Sequence, residues 1–111
     1  MKKLIGTVVV LIALMNNVNA QSSTPETQAS QIAQKMKDSL SLSNLQKSQV
    51  EAATVIVQNM KVNLRQLYNG RALDNYLFMA EDRRDSVYRN LLPADKYLLF
   101  KQKKATLLGN N

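Results

Sequence analysis

The side chains with chemistry to offer in this 111-residue chain are cations, carboxylates and thioethers, because histidine, cysteine and tryptophan are all absent. Without imidazole there is no general base poised near neutral pH and the commonest metal ligand is missing. Without a thiol there is no sulfur nucleophile, no redox pair and no point for lipid attachment. The eight Asp and Glu residues are not clustered at metal-ligand spacing, and the three scattered glycines, Gly6, Gly70 and Gly109, make no phosphate-cradling loop. Hydrolase, oxidoreductase, zinc-site and nucleotide-hydrolysing readings therefore have no residues to carry them, and the expected cofactor list is empty. What remains is binding. Fifteen Lys and Arg against eight acidic residues give a formal charge of +7, which attracts partners at long range.

The elements that would position these side chains begin after a segment of a different kind. Lys2 and Lys3, an apolar stretch from Leu4 to Met15 and the small-residue end Val18-Asn19-Ala20 read as a secretion signal. The apolar stretch is much shorter than the roughly 20 residues of a spanning helix, so cleavage before Gln21 is expected, with no stable membrane insertion. Loss of Lys2 and Lys3 leaves a 91-residue product of charge +5. The expected organisation is a signal peptide at 1–20, a disordered leader at 21–24, a single helical domain at 25–108 and a tail at 109–111. A chain of this size with no disulfide must draw its stability from packing or association.

Helix signals follow in order. Thr24, Pro25 and Glu26 suit an N-cap, a first helical position and a positive helix end, so a helix is expected from about Pro25 to Leu40. Ala29, Ile32, Ala33, Met36 and Leu40 form its apolar stripe. Ser43 and Gln46 stand at capping-box spacing and open a long central helix that runs without Pro or Gly to a stop at Asn69-Gly70. Its broad apolar side, Leu45, Ala52, Ala53, Ile56, Val57, Met60, Leu64, Leu67 and Tyr68, is expected in the core, with Val55 and Val62 opposite, as surface or as a contact with a subunit or partner.

A third helix from about Leu73 to Leu91 carries Leu73, Tyr76, Leu77, Ala80, Val87, Tyr88 and Leu91 in register. Arg84 falls within that stripe, either snorkelling from its edge or lining a concave binding face. Glu81 with Arg84, and Asp85 with Arg89, are spaced as surface ion pairs. Pro93 ends this helix, Leu92 is the hinge, and a fourth helix runs from Ala94 to about Leu108, with Tyr97, Phe100, Leu107 and Leu108 on one side and Lys101, Lys103 and Lys104 as solvating charge. No segment alternates with period two, so the expected class is all-α: four helices with a long central one.

The segment Leu42-Ser43-Asn44-Leu45-Gln46 resembles a Leu-Thr-x-x-Gln motif with serine for threonine, and Leu91-Leu92-Pro93-Ala94-Asp95 resembles a second copy in which Leu92 stands for the threonine and Asp95 for the glutamine. Two such motifs, each opening a helix behind a signal segment, are similar to those of the Spy/CpxP family of periplasmic chaperones and envelope-stress proteins. The resemblance spans roughly Gln31 to Lys104. It implies bent helical hairpins paired as a cradle-like antiparallel homodimer, which holds unfolded or misfolded clients without ATP, in the periplasm or outside the cell. The residues suited to client contact are Met60, Arg65, Arg71, Phe78, Met79, Arg83, Arg84 and Arg89.

The same family offers a second expectation, a regulator that docks on the periplasmic domain of a sensor kinase. Some relatives bind metals, but this chain brings no His or Cys to that task; Met36, Met60 and Met79 are the only soft ligands in the mature chain, and Met36 and Met60 are assigned to the core. A membrane-surface role would require less mixed charge along each helix and Trp at the apolar faces. Nucleic-acid binding would require a tight basic cluster with stacking aromatics.

Overall fold

The computed structural model describes residues 23–109 and 111; the signal segment and the start of the leader lie outside the described residues. The described chain is all-α, with four helices: α1 (Pro25–Leu40), α2 (Asn44–Leu67), α3 (Gly70–Leu91) and α4 (Ala94–Leu108). The boundaries follow local chemistry. The Thr24 hydroxyl accepts from the Thr27 amide at 3.1 Å to open α1. The capping box of α2 is complete: the Gln46 amide donates to Ser43 Oγ at 3.0 Å and the Ser43 amide to Gln46 Oε1 at 2.9 Å. Ser41, with a φ of 56°, closes α1 in the left-handed region.

The stop between α2 and α3 differs from expectation. Tyr68 and Asn69 are extended, at φ of −134° and −146°. Gly70 does take a positive φ of 61°, but as the first residue of α3, which starts three residues earlier than its apolar pattern suggests. The second motif also opens its helix one residue later than the motif alignment places it. Pro93, not Leu92, is the N-cap of α4, and it offers no side-chain hydrogen bond. Leu92 thus occupies the place before the cap that Leu42 holds ahead of α2, and both leucines are buried in the same core.

That core is built from Ile32, Ala33, Met36 and Leu40 of α1, Leu42, Val50 of α2, Tyr88 of α3, Leu92, and Phe100, Leu107 and Leu108 of α4. Tyr88 meets Phe100 edge-on, with ring centroids 4.9 Å apart. The buried residues of α1 are the five of its predicted stripe. α2 is different: it buries Val50, Thr54, Val57, Gln58 and Lys61, and of the nine residues expected there only Val57 is buried. Leu45, Ile56 and Leu67 are 67%, 61% and 71% exposed. The chain is elongated and thin, with extents of 52 × 38 × 20 Å and a radius of gyration of 16.9 Å, against about 12–13 Å for a compact domain of this size.

Candidate functional site

Where the four helices converge, the structure buries charge. Ala80, Arg84 and Tyr88 are four residues apart on α3 and turn the same side inward. Arg84 is 0% exposed. It therefore neither snorkels nor lines an open face, which corrects both expectations for it. Its Nη2 donates to Gln58 Oε1 at 2.5 Å, to Glu81 Oε2 at 3.3 Å and to the main-chain oxygen of Asn111 at 2.8 Å. Gln58 in turn donates to Gln28 Oε1 of α1 at 2.7 Å. Lys61 Nζ donates to Glu81 Oε2 and, at 3.0 Å, to the same Asn111 oxygen. A hydrogen bond between Thr54 and the Tyr88 hydroxyl ties α2 to α3 beside this cluster.

α4 supplies the outer charges. Lys104 reaches Asp85 at 2.7 Å and Glu81 at 3.4 Å, and Lys101 reaches Asp85 at 2.8 Å. Asp85 is thus engaged across the helix pair by α4, and two of the lysines expected only to solvate that helix hold it to α3. Lys96 Nζ donates to Leu40 O at 2.7 Å and closes the end of α1 from the start of α4.

The electrostatics follow from burial. Desolvation by itself pushes the Glu81 carboxyl up, but the Lys61 hydrogen bond and the charges of Arg84, Lys61 and Lys104 outweigh it and hold Glu81 below the usual carboxylate range. Asp85 is lowered in the same way: burial opposes, and Lys101 and Lys104 prevail. For Lys61 burial wins over the pairing with Glu81, so its ammonium loses its proton more readily than an exposed lysine does. Burial raises the Tyr88 phenol.

The remaining candidate residues do not converge on one spot. Arg65, Arg71, Phe78, Met79, Arg83 and Arg89 are exposed and Met60 is half-buried. At about 100° per residue, Arg71, Phe78 and Arg89 share one flank of α3, whereas Met79 and Arg83 lie on the other. At the α2–α3 turn Tyr68 stacks on Tyr76 with ring centroids 4.3 Å apart, next in sequence to the exposed Leu67. Of the motif residues, Leu42 is buried, Leu91 is half-buried, Asp95 sits exposed in the first turn of α4, and Ser43 and Gln46 cap α2.

Sequence reasoning missed Thr54, Gln58 and Lys61 as interior residues. The available signal was that they line up with Val50 and Val57 at steps of three and four, on the side that would face Arg84. Among the described residues no group of three or more His, Cys, Asp or Glu is placed to hold a metal ion, and no helix is long and apolar enough to cross a membrane. The chain matches no protein-family model, no curated protein and no solved structure.

Proposed function

We propose that this protein is an exported, ATP-independent holdase of the Spy/CpxP kind, which works as a homodimer and holds unfolded or misfolded chains by charge and apolar contact. One observation carries the reading: the uncovered apolar side of α2. Leu45, Ile56 and Leu67 are spaced by eleven residues, three helical turns, so they run in one line of about 33 Å along the helix. An apolar line of that length on a small chain is expected to be covered by something. A second copy is the partner proposed for it. The exposed Phe78 and Met79 supply adaptable contact for clients, and the exposed Arg65, Arg71, Arg83 and Arg89, spread over both flanks of α3 and the end of α2, supply charge.

The test is suppression of client aggregation at several-fold molar excess without ATP. Raising salt slows capture if the basic surface steers clients. Arg84 and Lys104 are engaged inside the fold, so the charge test belongs to exposed residues: R71E/R83E slows capture more than K103E does. A chain that leaves the aggregation of a range of clients unchanged is not a holdase, and docking on a sensor domain becomes the better account.

A further inference from the structure

Of the side chains that give up single electrons readily, this chain has no tryptophan and no cysteine but four tyrosines. Two of these have no phenol beside them: Tyr88 is fully buried and hydrogen-bonded to Thr54, and Tyr97 is half-buried against Phe100. The other two, Tyr68 and Tyr76, are 37% and 38% exposed and lie on each other, with ring centroids 4.3 Å apart and planes 28° from parallel. The α2–α3 turn creates this pair. Tyr68 and Asn69 are extended, and Gly70 turns at a φ of 61° into α3, which carries Tyr76 six residues further on. A hydrogen bond to Tyr76 raises the Tyr68 phenol above its ordinary value and keeps its proton in place at neutral pH. No residue from Val62 to Met79 is buried, so a small oxidant reaches the pair from solvent. Two rings already in contact turn a bimolecular coupling into a unimolecular one, whose effective concentration far exceeds that of a dilute chain.

We propose that Tyr68 and Tyr76 form an oxidative cross-linking site, at which a one-electron oxidant of the haem-peroxidase kind joins the two rings as dityrosine and staples the α2–α3 turn. Each phenol gives one electron and one proton to the oxidant, leaving two phenoxyl radicals. These couple through the ring carbons ortho to the oxygens, and the hydrogen on each coupled carbon moves to the oxygen as the rings regain aromaticity. The chain loses two hydrogens in all, and one hydrogen peroxide is reduced to two waters. The new bond closes the loop 68–76 and fixes the start of α3 against the end of α2. It requires neither a client nor a second copy, so it does not depend on the holdase reading.

The experiment oxidises the whole chain at low micromolar concentration in two ways, with a haem peroxidase and hydrogen peroxide, and with light-driven ruthenium tris-bipyridyl and persulfate. Dityrosine fluorescence, a denaturing gel and the masses of tryptic peptides are read. Peptides 66–71 and 72–83 are recovered joined, at their summed mass less two hydrogens, whereas a missed cleavage at Arg71 is lighter by one water. The product runs as a single chain. Y68F and Y76F each abolish it, and Y97F retains it. In urea the intrachain yield falls at least about threefold, because only the folded turn holds the rings together. No intrachain dityrosine with either oxidant, cross-links only between chains, or an equal intrachain yield in urea overturns the proposal.

Discussion

Replacing Glu81 with glutamine keeps its shape and removes the one carboxylate that touches Lys61, Arg84 and Lys104 together. Lys61 and Arg84, with side chains 8% and 0% exposed, then lose their side-chain anion and keep the Asn111 oxygen and, for Arg84, Gln58 Oε1 as acceptors. Breaking a buried pair costs about 3–5 kcal/mol. Glu81 is 27% exposed, so solvent returns part of that and a loss of about 2–3 kcal/mol is expected. At roughly 4–8 °C per kcal/mol for a domain of this size, Tm falls by about 10–20 °C. A chain with about 4–13 kcal/mol in total still folds at room temperature.

Urea unfolding followed by circular dichroism, at fixed protein concentration and pH 7, reads the loss as a lower midpoint with an unchanged slope. A K61M/E81Q double variant loses less than the two single losses added together, because each single change strands the other charge. The acid limb supplies an independent check. Carboxyls held low in the folded state contribute stability that is full above their unfolded value and is lost as pH falls through the folded one, here from about pH 4.5 downward. E81Q lacks one of the two such groups and has a shallower acid limb. A loss under about 0.5 kcal/mol, the range of ordinary surface changes, together with an unchanged acid limb, would refute the buried-cluster account.

Four further outcomes are expected. S43A removes one arm of the capping box and costs about 0.5–2 kcal/mol; an unchanged melting temperature means that α2 does not rely on that cap. Y88F takes away one of the two partners of the buried Thr54 hydroxyl, which keeps its bond to Val50 O, and costs about 1 kcal/mol, and adding T54V recovers part of it. K96M uncaps the end of α1 and lowers Tm by a few degrees, read by thermal melts in parallel with K103M as the exposed control. I56D leaves the chain folded, because that side chain points to solvent, but abolishes the proposed dimer in light scattering at micromolar concentration; a variant that still dimerises removes α2 as the self-association face.

Local chemistry decided the helices. Three of the four starts lie beside a side-chain cap or a proline, readable within four or five residues of sequence, whereas α3 starts behind the extended Asn69 with no side-chain cap. The stripe of α1 was equally legible, because its small and apolar residues occupy one side and polar ones the rest. The buried side of α2 was not. Periodicity identifies where apolar residues gather, and on α2 they gather along Leu45, Ile56 and Leu67. Which side turns inward is settled by what the other helices bring. α3 carries a guanidinium and a carboxylate to the interface, and burying them requires matching donors and acceptors, which Thr54, Gln58 and Lys61 provide. Those partners are separated by 20 to 34 residues in sequence, so no local pattern signals the pairing. Only the packed helices show that the polar side of α2 is its inside, and that its apolar side is left exposed.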